Sequence, residues 1–410
     1  MSSTDDVTIL RDLAKRYADL AAKPIQDERR ALWRDHNSFV RTRPPVYVRW
    51  LAAWWEHPES NLQCQAPPYR GPERFFRQMI VQDGIGDDYV LEPWITIGAT
   101  KVTPPEGLWG LPIRHSEKTD ERGTWKFVPS IVDLADAEKM VEPHHIIDED
   151  DTARRAERLR DAVGDILPVV VDRGPAWQMW AGDISTHLTQ LRGLEQLMLD
   201  MVDNAEWLHG VLKFMSDGIL RAHDEAEAAG DWRLCNHLNQ AQPYARELPD
   251  PSPSEEAVGR RQLWGYMAAQ EYTLISPAMH EEFLLQYQLP ILEKFGLVAY
   301  GCCEDLTRKI DMLRPIPNLR RIAITPVANV ARCAEQIGTD YICSWRPNPS
   351  QMICCGFDPD LIRTVVRDAM DAMKGCFVDI TLKDVQTVGN RPEDLTEWVK
   401  IVRGVSDGYV

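Results

Sequence analysis

The 410-residue chain contains no apolar run near the roughly 20 residues that a membrane-crossing helix requires; residues 166–171, among the longest, are only strand-length. Positive charge is also scarce. Lys and Arg total 46 against 63 Asp and Glu, a formal net charge of −17. An acidic surface repels a polyanion, so no nucleic acid partner is expected, and the lack of a long apolar run gives no membrane partner. Residues 1–10 are polar and acidic and lack the basic and apolar stretches of an export signal, so the expected location is cytoplasmic. No low-complexity tract and no fixed-period repeat is present, which excludes a solenoid.

What is present suits a large globular enzyme. Hydrophobic residues make up 44% and charged residues 27%, enough apolar surface to fold without a disulfide or metal staple. The nine cysteines, with no export signal, suit a reducing compartment. Cys64, Cys333, Cys343 and Cys376 read as small buried hydrophobes, whereas Cys302-Cys303 and Cys354-Cys355 form two adjacent pairs that read as thiols or ligands rather than disulfides, since adjacent cysteines rarely bridge each other.

Residues 9–33 carry Leu10, Leu13, Tyr17 and Leu20 at helical spacing, which predicts an amphipathic N-terminal helix. Beyond residue 42, short apolar runs alternate with amphipathic helical segments. The runs are residues 45–50, 88–95, 166–172, 233–238, 298–303, 320–325, 341–345 and 377–382. Strand–helix alternation implies parallel strands with helical crossovers, and eight runs imply closure. The expected fold is therefore α/β, a (β/α)₈ TIM barrel spanning residues 43–410, with residues 1–42 as an N-terminal helical extension. Apart from the run at 88–95, residues 54–147 are less regular and read as long loops over the barrel mouth. Residues 241–261, with four prolines, read as a second insertion.

In such a barrel the strand C-termini surround the active site, so polar residues there are the candidates. Tyr300-Gly301-Cys302-Cys303-Glu304 follows an apolar run. Cys302 and Cys303, with His237 and Glu271, make a zinc-like set of thiolate, imidazole and carboxylate. His237 is also a candidate acid–base group, with Cys235 and Asn239 alternating onto its face. Glu271 lies in an apolar neighbourhood, where a carboxylate needs a partner. Asp172, Arg173 and Trp177 follow the third run; Arg346 and Asn348 follow the seventh. Asp379, Thr381 and Lys383 should share the interior face of the last. Arginines at these ends suit bidentate carboxylate binding. Catalytic roles thus fall on His237, Asp172, Arg173, Arg346 and Lys383, and substrate contacts on Arg49, Trp177, Asn239, Asn348 and Thr381. His144 and His145 read as surface residues.

Several stretches resemble the uroporphyrinogen decarboxylase and corrinoid methyltransferase superfamily. Arg43-Pro44-Pro45-Val46-Tyr47-Val48-Arg49 resembles its first-strand signature, Arg-x-Pro-Val-Trp followed by arginine. Val170 to Trp177 resembles its Gly-Phe-x-x-x-Pro-Trp segment, and Leu274 to Phe283 its Leu-Ser-Pro-x-x-Phe-x-x-Phe helix start. Tyr300-Gly301-Cys302-Cys303 falls where the methyltransferases carry His-x-Cys-Gly. The resemblance runs from about Arg43 to Val402. It implies either cofactor-free decarboxylation through arginines and an aspartate, or methyl transfer to or from a corrinoid protein, often with zinc. Cys302 matches the zinc-motif cysteine, but Tyr300 stands at the histidine position and residues 379–383 offer no second cysteine. The decarboxylase signature is also broken, since Arg49-Trp50-Leu51-Ala52-Ala53 lacks its second arginine.

The expected function is therefore a methyltransferase that demethylates a small methoxylated or methylated compound and passes the methyl group to a corrinoid (cobalamin). Because no Asp-x-His-x-x-Gly motif occurs, the corrinoid would come on a partner protein or free. Zinc would polarise the leaving heteroatom. The alternatives are a decarboxylase or lyase with Arg49, Arg173 and Arg346 as carboxylate clamps, and a non-catalytic ligand-binding barrel. The Trp-rich segment at residues 50–55 and the N-terminal helix offer apolar surface that implies a homodimer.

Overall fold

The computed structural model describes residues 3–119, 124–234, 238 and 240–409. It is a mixed α/β structure. Among the described residues, eight strands pair in parallel within two sheets: β1 (Val46–Val48), β2 (Ile95–Gly98), β3 (Val169–Asp172), β4 (Trp264–Met267), β5 (Leu297–Tyr300), β6 (Leu319–Ile324), β7 (Ile342–Trp345) and β8 (Phe377–Leu382). Six of them form a curled half-barrel sheet in the order β1-β8-β7-β6-β5-β4, while β2 and β3 pair separately. Strands β5, β7 and β8 are buried on both faces, and β6 nearly so, which is why they are predominantly apolar in the sequence.

Several sequence expectations need correction. The run at 88–95 is not a strand over most of its length. Asp88 donates its backbone N–H to the Val46 carbonyl and its carboxylate accepts from the Val46 N–H and the Arg43 guanidinium, so that segment staples β1 and the strand begins only at Ile95. The run at 233–238 forms no strand among its described residues; residues 235–237 lie outside them. Its place in the count belongs to β4, whose glycine and aromatics hid it. Residues 54–147 are not all loops, because Pro67–Ile85 is a 19-residue helix. Its apolar residues Phe76 and Met79 pack with Leu10, Leu13, Ala14 and Tyr17 in a second, smaller core.

The N-terminal region is two helices, Ser3–Ala21 and Ile25–Asn37, interrupted before Pro24. The second helix delivers its last turn into the curled sheet. His36 Nε2 lies 3.3 Å from Asp379 Oδ2, and Arg321 bridges Asn37 Oδ1 and Asp379 Oδ2 at 2.6 Å each. Ser344 completes the group by donating to Asp379 at 2.9 Å. All five side chains are buried, so this network closes the floor of the half-barrel. Of the Trp-rich segment, Trp50 and Trp54 are buried and Trp55 is exposed, leaving less free apolar surface than the sequence implied. No helix among the described residues is long and apolar enough to cross a membrane.

Candidate active site

The strand C-termini surround a cavity of about 300 Å³ lined by Arg49, Trp180, Gln240, Gln270, Cys302, Cys303, Lys383 and Asp384, with Leu51 and Ala52. Its chemistry starts at the turn that leaves β5. Gly301 adopts φ +102, and a Cβ there would come within 2.8 Å of Leu306 and 2.9 Å of Ala323, so only glycine fits. The turn is held by Glu304, which is fully buried and accepts from the backbone N–H groups of Ala269 and Cys302, both at 2.8 Å. Arg346 donates to the carbonyls of Gly301 and Cys302 from the other side. These contacts aim the two sulfurs at the cavity.

The Cys302 and Cys303 sulfurs are 3.3 Å apart. Lys383, arriving from the end of β8, places its ammonium 3.3 Å from Cys302 Sγ and 3.0 Å from Cys303 Sγ, and pairs with Asp384 at 2.9 Å. Gln240 Nε2 donates to Cys302 Sγ at 3.5 Å. One proton serves both sulfurs. The hydrogen bond from Cys303 favours a Cys302 thiolate, burial opposes it, and the Arg346 and Lys383 charges favour it; the thiol is pushed down to about 6. The same hydrogen bond, with burial, pushes Cys303 up. Burial and Arg346 press Lys383 toward neutrality, but the two sulfurs outweigh them and its pKa is raised. The site therefore holds a thiolate–ammonium pair.

Above the pair, Tyr266 of β4 is buried, packs edge-on against Trp180 at 5.3 Å, and has no hydrogen-bond partner for its hydroxyl among the described residues. The Gln240 Oε1 is likewise buried and unpartnered there. Little in the residue pattern marks these two, Trp180 or Gln270. Tyr266 belongs to the unrecognised strand, and Trp180, Gln240 and Gln270 lie in irregular connections.

Of the candidates read from sequence, Lys383, Cys302, Cys303 and Arg49 meet at this cavity. Thr381 is buried beneath it, its hydroxyl donating to the Gln240 carbonyl at 3.2 Å. Arg346 is a buried prop for the Cys302 turn. His237 and Asn239 lie outside the described residues. The others are elsewhere. Arg173 is committed to ion pairs with Glu149 and Asp231. Asp172 caps Gly174 and lines a separate cavity with Trp232 and Phe295. Trp177 is packed in the main core edge-on to Trp109, because its turn folds inward rather than toward the mouth. Asn348 caps Ser350 in a local turn. Of the two surface histidines, His145 is instead buried against Asp231 at 2.8 Å.

Among the described residues this arrangement does not make a zinc site; His237, one of the expected ligands, lies outside them. Two thiolates on tetrahedral zinc stand about 3.8 Å apart, given bonds of about 2.3 Å; here they are closer, and an ammonium occupies the space a cation would take. Glu271 is raised in pKa by burial and accepts from Ser185 at 2.8 Å, which satisfies it locally. The hydroxyl of Tyr300 is bonded to Gln288 and His280. Among the described residues no three His, Cys, Asp or Glu side chains converge as a metal site. The three-arginine carboxylate clamp is not assembled either, since Arg173 and Arg346 are engaged elsewhere.

No protein-family model matches the chain, and no curated protein does. Among solved structures, a methyltransferase from Methanosarcina mazei aligns with a TM-score of 0.49 at 13% sequence identity, over 92% of this chain and 97% of that one. At that identity and score the likeness assigns neither activity nor substrate to this chain.

Proposed function

We propose that this chain is a methyltransferase that demethylates a small methoxylated or methylated compound, with a corrinoid on a partner protein or free as the methyl acceptor. The observation that carries the enzymatic reading is the Lys383 ammonium set against the Cys302–Cys303 pair at the base of an open cavity. A non-catalytic barrel has no need of a buried thiolate and ammonium at its mouth, where each costs desolvation. The methyl-transfer reading rests on the sequence resemblance around Cys302 and on what the pair can do.

The cavity, about 300 Å³, is the size of a small-molecule site and far too small to enclose a corrin macrocycle. The corrinoid is thus a co-substrate meeting the bound donor at the rim, where it supplies the nucleophile that takes the methyl group. The protein acts on the other product. When the methyl–heteroatom bond breaks, the electron pair stays on the heteroatom, which becomes anionic. Lys383 donates a proton to that atom, and the Cys302 thiolate keeps the lysine charged beforehand. The lysine regains its proton from solvent. Arg49 and Gln270 orient the donor and Trp180 walls it from water.

The same reading takes the two parallel sheets as arcs of one (β/α)₈ barrel. The order β4-β5-β6-β7-β8-β1, with β8 pairing back on β1, supports this reading, in which β2-β3 would be the missing arc. Trp180, which follows β3, lines the same cavity as residues in the segments that follow β1, β4, β5 and β8.

The test is incubation of the full chain with a panel of methoxylated and methylated small compounds and reduced cobalamin, following the visible spectrum. Methylation that requires the chain and is lost in Lys383→Met supports the proposal. Tight binding of a donor without any methylation of cobalamin by the wild type rejects it.

A further inference from the structure

We infer that Cys302 and Cys303 are a reversible oxidation site, closing to a disulfide between adjacent cysteines when the cavity admits hydrogen peroxide or a similar small peroxide. Three observations carry this. The sulfurs are already 3.3 Å apart, so bond formation needs a small movement rather than a refolded loop. The Lys383 ammonium touches both sulfurs and so stabilises whichever carries negative charge. Both residues line an open cavity and Cys303 is solvent-exposed, so a small oxidant reaches them. Cys64, Cys333 and Cys343, by contrast, are fully buried, which makes them internal controls.

The chemistry balances with peroxide as the oxidant. The Cys302 sulfur attacks one peroxide oxygen, the O–O bond breaks, and hydroxide leaves as the sulfur becomes a sulfenic acid. The Cys303 sulfur then attacks Cys302, the S–S bond forms, the S–O bond breaks and water leaves. Lys383 carries the Cys303 proton to the departing oxygen. In sum the two sulfurs lose two electrons, Cys303 gives up its proton, and peroxide becomes one water and one hydroxide, which solvent protonates. The small ring that adjacent cysteines close is strained, so a dithiol reduces it readily. Oxidation removes the thiolate and leaves Lys383 with Asp384 as its charged partner, so the site is switched off and recoverable. None of this depends on the methyl-transfer reading, because the readout is covalent mass.

The experiment is titration of the reduced full chain with hydrogen peroxide, then iodoacetamide alkylation, digestion and mass spectrometry. The peptide holding Cys302 and Cys303 should lose two hydrogens, resist alkylation, and return to the alkylatable form with dithiothreitol. Cys303→Ser should stop at a Cys302 sulfenic acid trapped by dimedone. Lys383→Met should slow Cys302 oxidation by about tenfold. The inference is overturned if the peptide stays alkylatable in excess peroxide, if Cys302 goes directly to sulfonic acid, or if the disulfide forms elsewhere, such as Cys343–Cys376. It is also overturned if Cys303→Ser leaves the rate and product of oxidation unchanged.

Discussion

The ammonium of Lys383 stands 3.3 Å from the sulfur of Cys302, although two strands separate β8 from β5 in the sheet. On a flat sheet those strand ends would be about 14 Å apart, three strand spacings. The contact exists because the sheet curls, and the curl gathers residues 81 positions apart into one site.

That contact makes the lysine the first target. Lys383→Met should reduce turnover by about 10²–10⁴, the usual contribution of a positioned proton donor. The melting temperature of the variant, followed by circular dichroism, separates loss of chemistry from loss of fold. Turnover within a few-fold of wild type would remove Lys383 from the mechanism.

The Cys302 thiolate predicts a pH profile. Its thiol is pushed down to about 6, so the iodoacetamide reaction rate should rise through pH 6 and level off by neutrality. An ordinary thiol would still be rising above about pH 8. Lys383→Met should move the midpoint upward, because the nearby charge that stabilises the thiolate is gone. A wild-type midpoint near that of a free cysteine would show that the pair does not form in solution.

Gly301→Ala tests the turn. Its φ of +102 and the crowding by Leu306 and Ala323 should cost about 1–3 kcal/mol of stability in urea denaturation. The same change should slow Cys302 alkylation, since the turn aims that sulfur.

The buried floor predicts both a large loss and a pH dependence. Asp379→Ala leaves Arg321 without its carboxylate and should cost about 3–5 kcal/mol. Burial pushes His36 down, against the pull of Asp379, so it stays neutral when folded. The unfolded chain takes up that proton below about pH 6.5 and the folded chain does not. Burial alone would push Asp379 up, but Arg321, His36 and Ser344 hold it below the usual carboxylate range. Both groups therefore contribute stability that is present near neutrality and lost as pH falls. His36→Asn should flatten the slope between pH 5 and 6.5 by up to about 1.4 kcal/mol per unit. An unchanged slope in denaturant titrations would mean that His36 protonates freely in the folded state.

The sequence by itself determined the local elements whose burial is symmetric. Residues 297–300, 319–324, 342–345 and 377–382 are largely apolar and almost wholly buried, as strands covered on both faces require, with buried polar residues such as Arg321, Ser344 and Asp379 paired to one another. It also determined that Cys302 and Lys383 stand at strand ends, because each follows such a run directly. It could not reveal β4, where Gly265 and Tyr266 interrupt the apolar signal, nor the helix Pro67–Ile85 among its prolines. Only the tertiary structure decided which strand-end residues meet. Asp172 and Arg173 also follow a strand, yet a carboxylate cap and two ion pairs turn them aside. Alternation along a strand says which face a residue takes. It says nothing of the partners that other segments bring to that face, and at Cys302 those partners are Lys383 and Gln240, held there by the curvature of the sheet.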